Sequence, residues 1–175
     1  MRNLFLTGAV GVGKSTVLRR VLDRIPAHVG GFLTERTNAD RRKPRFAFRD
    51  LRTGTSVPLA RWTAVGLHAD ESVFVDAGVP ALRRARERVE LLVMDELGRM
   101  ELEAPVFQRE VLTALNGRTP VLGVLKAERN PFLDRVRAHP AVDVWAVTEE
   151  NREALVDRVA GFVREAVRHA RLGAR

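Results

Sequence analysis

Residues 8–15 read Gly8-Ala9-Val10-Gly11-Val12-Gly13-Lys14-Ser15 and decide the fold of this chain. They fit the pattern G-x-x-x-x-G-K-[ST], in which glycines let the backbone wrap an anion so that successive N–H groups point at phosphate oxygens. Asn3–Thr7, an apolar run, precedes them as a predicted buried strand, and Lys14–Ile25 follows as a predicted amphipathic helix. A strand, a glycine loop and a helix in this order predict a phosphate site at the helix N-terminus.

The loop also predicts which groups would bind a nucleoside triphosphate such as ATP or GTP. All eight of its residues are candidate nucleotide-binding residues, and Lys14, reaching the β- and γ-phosphates, is a candidate catalytic residue. Ser15 would place its hydroxyl on Mg²⁺, and Thr16 would contact the α-phosphate. The other interpretation of the same letters is a plain glycine turn between a strand and a helix.

A second apolar run, Glu90–Asp95, ends in an acid, and Glu96 follows directly, so two carboxylates are adjacent. We expect Asp95 to hold Mg²⁺ together with Ser15, largely through water, because this ion keeps several waters when carboxylates bind it. Glu96 would bind near the γ-phosphate and deprotonate an attacking water. This role favours a hydrolase over a kinase, which activates an acceptor hydroxyl instead.

The transition state of phosphoryl transfer needs a cation beyond Lys14. Arg99 and Arg129 follow predicted strand ends, with Lys126 nearby, and each is either that cation or a solvated surface charge. The chain contains no N-K-x-D or T-K-x-D element for recognising guanine, which argues against a Ras-like switch. The segment Val147–Arg152 could border the base, or it could simply begin a helix that Thr148 caps.

The rest of the chain alternates predicted strands with predicted helices. The further strands are 120–125 and 142–147, and the further helices are 80–88, 105–115, 131–138 and one after Thr148. Shorter runs separated by turn residues predict a β-hairpin insertion at about residues 31–59, and 72–75 is one more candidate strand. Apolar strands alternating with helices predict a P-loop α/β fold, a three-layer α/β/α arrangement with a mostly parallel sheet. The length of 175 residues predicts a single domain over residues 1–175.

The amino-acid composition limits which functional sites and partners this protein can have. The absence of cysteine and the scattering of the four histidines exclude disulfides, thiolate nucleophiles and Cys-ligated zinc. No apolar stretch approaches the roughly 18 residues that cross a bilayer, so we expect a cytoplasmic protein with no membrane partner. The net charge of +8 suits an anionic ligand and leaves nucleic acid as a less favoured partner. The sequence leaves the oligomeric state open, with a monomer favoured.

Three further segments follow the glycine loop in order, namely G-F-L-T-E-R at 31–36, M-D-E-L-G-R-M-E-L at 94–102 and V-T-E-E-N-R at 147–152. Together with the loop they resemble the small P-loop nucleoside-triphosphatase family that includes the cancer-related nucleoside-triphosphatase. The resemblance spans nearly the whole chain except about residues 61–88. It implies Mg²⁺-dependent hydrolysis of ATP, GTP and other nucleoside triphosphates, with little base preference. It also implies that Gly98, Arg99 and Glu101 lie near the site, so Gly98 and Arg99 join the nucleotide-binding candidates.

Two alternative functions stay open. A nucleoside or nucleotide kinase would use the same phosphate loop, with a mobile lid formed by Arg83, Arg84, Arg86 and Arg88. A nucleotide-dependent nucleic-acid-binding module would use the basic hairpin, in which Phe46 and Phe48 either stack on bases or pack in the core. The basic residues of that hairpin are Arg36, Arg41, Arg42, Lys43, Arg45, Arg49 and Arg52, against the acids Asp40 and Asp50.

Overall fold

The computed structural model describes residues 3–40 and 42–173, so Arg41 of the basic hairpin lies outside the described residues. The strands in the described part of the chain are Asn3–Thr7 (β1), Val29–Arg36 (β2), Arg45–Asp50 (β3), Ser56–Thr63 (β4), Gly66–Ala69 (β5), Leu91–Leu97 (β6), Val121–Leu125 (β7) and Val142–Ala146 (β8). The α-helices are Lys14–Leu22 (α1), Val79–Arg88 (α2), Pro105–Leu115 (α3), Pro131–Arg137 (α4) and Arg152–Leu172 (α5). A π-helical segment, Phe74–Gly78, leads directly into α2.

All eight strands form one sheet in the order β5-β4-β3-β2-β6-β7-β1-β8. The pairs β2–β6, β6–β7, β7–β1 and β1–β8 are parallel. Strands β3, β4 and β5 extend the sheet beyond β2 as antiparallel neighbours. The prediction of a mostly parallel sheet with hairpin strands added to it is confirmed.

Helices cover both faces of the parallel strands and give the three predicted layers. On one face, α1 and α5 pack on alternate residues of the strands, including Leu4, Leu6 and Val93. On the other face, α2, α3 and the π-helical segment pack on the intervening residues, such as Phe5 and Met94. This two-sided burial explains why the parallel strands are almost continuously apolar in sequence.

The structure differs from the sequence predictions at three places. The proposed strand at 72–75 is helical, because Phe74 turns into the core and packs on Phe107 with ring centroids 5.0 Å apart. Strand β5 was not predicted, and it pairs with β4 through a short turn between Thr63 and Gly66. Helix α5 begins at Arg152, four residues after Thr148, although the Thr148 hydroxyl accepts the Asn151 N–H at 3.2 Å and its carbonyl oxygen accepts the Arg152 N–H at 3.1 Å, as the predicted capping role requires.

The strand order brings the predicted functional segments to one edge of the sheet. Parallel strands present their carboxyl ends at the same edge, and β7 lies between β1 and β6. The glycine loop after β1, the acid pair at the end of β6 and Lys126 after β7 therefore meet there. No helix of the described residues is both long and apolar enough to cross a membrane.

Candidate active site

The glycine loop ends in helix α1, whose first turn receives no side-chain cap from any described residue. Its amides are therefore open to an anion. Gly8 has φ +146°, and a Cβ there would lie 2.5 Å from the carbonyl oxygen of Val147, so this position requires glycine. The buried Lys14 ammonium donates to the carbonyl oxygens of Gly8 at 3.0 Å and Ala9 at 2.9 Å. These bonds hold the cation across the loop and use two of its three N–H donors.

Ser15 and Asp95 meet at the centre of the site. The Ser15 hydroxyl donates to Asp95 Oδ1 at 3.1 Å, while Asp95 Oδ2 is buried and accepts a hydrogen bond from none of the residues that the structure describes. Burial raises the pKa of Asp95 to about 6, and the charge of Glu96 adds to the effect, whereas the Ser15 hydrogen bond opposes it. A carboxylate oxygen without a partner beside a hydroxyl is a donor pair that suits a hard cation such as Mg²⁺.

The protein supplies only part of a metal coordination shell at this point. Among the described residues, no three His, Asp or Glu side chains converge into a metal-binding group. Mg²⁺ characteristically binds through one or two carboxylates and completes its shell with waters and substrate phosphates. The Ser15–Asp95 pair therefore fits a metal that arrives together with a phosphate ligand.

Glu96 faces Lys126 across the next strand end. Glu96 Oε1 lies 3.5 Å from Lys126 Nζ, and both side chains are partly exposed to the cavity. The backbone N–H of Lys126 donates to the carbonyl oxygen of Leu97 at 2.9 Å, which fixes the position of the lysine. A Cβ at Gly98 would lie 2.9 Å from Lys126 Cδ, so glycine leaves room for the lysine side chain. The peptide bond between Asp95 and Glu96 is cis.

Glu101 lies behind this pair and is fully buried. Its Oε2 accepts a hydrogen bond from the Gly98 N–H at 2.8 Å, whereas Oε1 has no hydrogen-bond partner in the described part of the chain. Burial raises the pKa of Glu101 to about 7, against the opposing effect of the Gly98 hydrogen bond. Glu101 therefore holds the turn after β6 in place. Gly98 lies on this turn and leaves room for the side chain of Lys126.

These groups surround one cavity of about 760 Å³, within the usual range for small-molecule sites. Its predicted members are Gly8, Ala9, Val10, Gly11, Gly13, Lys14, Ser15, Thr16, Asp95 and Glu96. Lys126, a candidate cation, also lines it, as do Arg36 and Phe46 of the basic hairpin. The lining residues that the sequence did not single out are Arg19, Thr34, Glu35, Leu67, Met100, Ala127 and Glu128. Arg19 follows Ser15 by four residues, so its position on the same helix face was available from the sequence.

The remaining sequence-predicted candidates do not line this cavity. Val12 is buried within the loop, Gly98 is buried beneath Lys126, and Arg99 is exposed outside the cavity lining. Arg129 pairs with Asp134 at 2.7 Å. Lys126 is thus the candidate cation that lies beside Glu96.

Three of the four arginines of the predicted lid are paired with acids on neighbouring elements. Arg83 and Arg86 pair with Glu110 of α3 at 2.6 and 3.3 Å. Arg84 pairs with Asp50 of β3 at 2.6 Å. These three arginines are held by neighbouring acids because α2 packs beside α3 and the sheet, and they do not line the cavity.

The two phenylalanines of the basic hairpin lie in different environments. Phe48 is buried and stacks on Phe32 with ring centroids 4.9 Å apart, so it packs in the core and cannot stack on a base. Phe46 lines the cavity, with the Arg36 guanidinium 6.0 Å from its ring centroid. A second cavity, of about 780 Å³, lies over strands β3–β5 and includes Arg45, Arg61 and His68 at directly opposed positions. Of these three side chains, only Arg45 belongs to the basic residues on which the nucleic-acid alternative depends.

Comparison with known proteins agrees with the geometry. Residues 3–160 match a family model described as NTPase. The nucleoside-triphosphatase THEP1 of Thermococcus kodakarensis is 34% identical, over 89% of this chain and 93% of that protein. Its counterpart of the same name in Natranaerobius thermophilus is 30% identical, over 93% and 97%.

Solved structures share the fold. A human cancer-related nucleoside triphosphatase aligns with a TM-score of 0.75 and 27% identity, over 94% of this chain and 98% of that one. THEP1 from Aquifex aeolicus aligns with a TM-score of 0.79 over 93% and 99%, and at 22% identity this likeness concerns the fold alone. Because the family model covers most of its length and relatives at 30% identity or more span nearly all of it, the chain belongs to the NTPase family.

Proposed function

We propose that this protein catalyses the Mg²⁺-dependent hydrolysis of nucleoside 5′-triphosphates, ATP and GTP among them, to the diphosphate and phosphate with broad base specificity. The observation that carries the proposal is the meeting of Lys14, the Ser15–Asp95 pair and Glu96 in one cavity at the open N-terminus of α1. The two buried apolar clusters lie on opposite faces of one sheet, which supports the proposal that residues 1–175 form one domain.

Phosphate binding is assigned to the loop and Lys14. The amides at the start of α1 carry no side-chain cap and can bind an anion, and the remaining N–H donor of Lys14 is available to a phosphate oxygen. Ser15 and Asp95 would hold Mg²⁺, because they offer a hydroxyl and a carboxylate oxygen that lacks a partner. When bound, the metal withdraws charge from the phosphate oxygens of the substrate.

Water activation is assigned to Glu96. Its carboxylate faces the cavity next to Asp95 and can accept a proton from water as the water oxygen bonds to the γ-phosphorus. Lys126 orients this carboxylate through their ion pair and adds positive charge where the phosphoryl oxygens of the transition state would lie. The reaction breaks the bond between the γ-phosphorus and the β–γ bridging oxygen, so the diphosphate leaves.

Broad base specificity is supported by what lines the cavity. Its walls near the loop are backbone and phosphate-directed groups, and none of the six described residues 147–152 contributes to the lining. Instead Thr148 and Asn151 bond each other, with Thr148 N–H donating to Asn151 Oδ1 at 2.9 Å and Asn151 N–H donating to Thr148 Oγ1 at 3.2 Å. This segment serves to begin α5.

Two substitutions test the proposal. Glu96→Gln should keep the affinity for the non-hydrolysable analogue AMP-PNP and lower phosphate release by at least about 100-fold, because a general base contributes roughly that much. Lys14→Ala should weaken AMP-PNP binding and turnover together. The control is Glu165→Gln, which removes an exposed carboxylate on α5. Unchanged phosphate release in Glu96→Gln would contradict the assigned base, and undiminished affinity in Lys14→Ala would contradict the assigned phosphate site.

A further inference from the structure

The cavity of about 780 Å³ over β3, β4 and β5 has no part in the proposed hydrolysis. Three basic residues cross these strands as a row, because Arg61 of β4 is directly opposed to Arg45 of β3 on one side and to His68 of β5 on the other. Directly opposed side chains of antiparallel strands lie on the same face of a sheet, with their Cβ atoms about 5 Å apart. Arg45, Arg61 and His68, the basic row, therefore share one face and line one cavity.

The basic row is on the side of the sheet on which α1 lies. Arg49 follows Arg45 by four residues on β3, so the two side chains are on the same face. Arg49 pairs with Glu35 at 3.6 Å, and Glu35 pairs with Arg19 of α1 at 3.6 Å. The apolar cluster buried beneath α1 and α5 contains no described residue of β3, β4 or β5. These helices therefore leave this face of the three strands uncovered, and all three members of the basic row are exposed.

The charge of the basic row is not balanced within residues 3–40 and 42–173. In that part of the chain, the side chains of Arg45, Arg61 and His68 form no ion pair and no hydrogen bond. The acid in the lining is Asp70, whose Oδ1 accepts hydrogen bonds from the N–H of Ser72 at 3.1 Å and from its hydroxyl at 2.7 Å. Like charges directly opposed on neighbouring strands destabilise a sheet. An anion bound between Arg45 and Arg61 would remove this repulsion.

The donors in this cavity suit a phosphate chain. Each guanidinium presents five N–H donors in a planar fork that matches phosphate oxygens. The hydroxyl groups of Thr37 and Ser56 also belong to the lining. A volume of about 780 Å³ lies within the usual range for small-molecule sites. No glycine belongs to this lining, so the backbone loop of the catalytic cavity has no counterpart here. The cavity is therefore suited to binding a phosphate chain and not to cleaving it.

The aromatic residues of these strands argue against a nucleic-acid strand as the ligand. Single-stranded nucleic acids characteristically stack their bases on aromatic rings. Phe46 follows Arg45 and Trp62 follows Arg61, so both rings lie on the face opposite the basic row, although Phe46 borders the cavity as well. Phe48 is buried in the core. The face that carries the basic row therefore favours a short phosphate ligand without stacked bases.

We propose that this cavity is a second, non-catalytic phosphate site, in which Arg45, Arg61 and His68 bind a di- or triphosphate chain that is either inorganic or carried by a free nucleotide. The inference goes beyond the proposed function and does not require hydrolysis at the glycine loop. Arg45 and Arg61 donate to the phosphate oxygens from directly opposed positions, and the His68 ring extends the row of donors by one strand.

Calorimetric titration counts the phosphate sites. Inorganic triphosphate is titrated into wild type and into Lys14→Ala at physiological salt, without Mg²⁺ so that hydrolysis contributes no heat. Wild type should bind two equivalents per chain, and Lys14→Ala should retain one, because the glycine loop is weakened and the basic row is intact. AMP-PNP titrated into Lys14→Ala then separates the two sources of the ligand. Binding of AMP-PNP shows that the cavity accepts a chain carried by a nucleotide, whereas binding of inorganic triphosphate alone shows that it accepts only the free chain.

Substitutions then locate the second site. Arg45→Gln and Arg61→Gln, each made in Lys14→Ala, should weaken triphosphate binding by at least about tenfold, because a charge-assisted hydrogen bond to phosphate is lost. Both arginines are exposed, so either variant tests the site if the other fails to fold, and urea unfolding checks both. The matched control is Arg118→Gln, which removes the same charge from an exposed position outside both cavities and should leave binding unchanged.

Three outcomes would overturn this inference. If Lys14→Ala binds no triphosphate, all of the phosphate binds at the glycine loop. If Arg118→Gln weakens binding as much as Arg61→Gln does, the ligand responds only to the net charge of the protein. If a single-stranded RNA of about 12 nucleotides binds through Arg45 and Arg61 more tightly than triphosphate does, the basic row is a nucleic-acid site. A wild type in which triphosphate binding depends on Arg61 and not on Lys14 would instead support the second site and contradict the assigned phosphate loop.

Discussion

Replacing Glu101 by Gln should change how the stability of this protein depends on pH. Glu101 is fully buried, and one carboxylate oxygen accepts the Gly98 N–H while the other has no partner among the described residues. Glutamine has nearly the same shape and retains an oxygen for the Gly98 N–H, but it does not titrate. The substitution therefore removes the ionisation of residue 101 with little change in packing.

The sign and size of the effect follow from the pKa of the buried carboxyl. Burial raises the pKa of Glu101 from its ordinary 4.5 to about 7, so the folded protein binds this proton more tightly than the unfolded chain does. The resulting stabilisation is fully present below pH 4.5 and is lost as the pH rises through about 7. Because one pKa unit corresponds to about 1.4 kcal/mol, the loss amounts to about 3 kcal/mol.

Urea unfolding of both proteins at a series of pH values measures this loss. The free energy of unfolding of the wild type minus that of Glu101→Gln should fall by about 3 kcal/mol between acidic pH and roughly pH 8. Glu103→Gln, which changes an exposed carboxylate two residues away, should show no such trend. A difference between wild type and Glu101→Gln that stays within about 0.5 kcal/mol across the series would refute the reasoning.

Other substitutions test the surroundings of the site. Burial opposes ionisation of Asp50, but hydrogen bonds, including the one from Arg84, hold its pKa below the ordinary 3.8. The ionised carboxylate therefore stabilises the folded protein above that pH, and this contribution is lost as the pH falls. Asp50→Asn should therefore lower the free energy of unfolding by about 1–3 kcal/mol at pH 7, and urea unfolding that detects no loss there would contradict this. Lys126→Met should lower kcat for phosphate release by about 10- to 1,000-fold, because a cation beside Glu96 is lost, and steady-state kinetics with an unchanged kcat would exclude that role. Ser15→Ala should abolish the increase in Tm that Mg²⁺ adds in the presence of AMP-PNP, and a shift equal to that of the wild type would place the metal elsewhere.

The parts of the fold that the sequence predicted well are those with strong local signals. Strand Asn3–Thr7 and helix Pro105–Leu115 have the predicted bounds. The strand is a short apolar run that glycine ends, and the helix combines proline in its first turn with apolar residues at helical spacing. A run such as 72–75 carries no comparable signal, because four residues fit one turn of helix as well as a short strand.

Which residues line the cavity depends on the order of the strands in the sheet, and no local sequence pattern contains that order. Lys126 lies beside Glu96 only because β7 inserts between β1 and β6 in the sheet. Phe46 and Leu67 reach the same cavity from antiparallel strands that come between the two nucleotide motifs in sequence. Arg99 follows the acid pair closely in sequence, yet the turn directs it to solvent while Lys126 passes over Gly98.

Asp95 and Glu101 are two buried carboxylates in one short segment, but their burial has different consequences. Each has a raised pKa and one oxygen without a partner in the described part of the chain. Asp95 faces the cavity, so a cation there would offset its burial, and ligand binding should stabilise the fold through this residue. Glu101 does not line the cavity, and it accepts a hydrogen bond from Gly98, whose lack of a side chain leaves room for Lys126. Mg²⁺ with AMP-PNP should therefore raise the stability of wild type and Glu101→Gln alike, while the pH dependence that separates these two proteins persists in the loaded state.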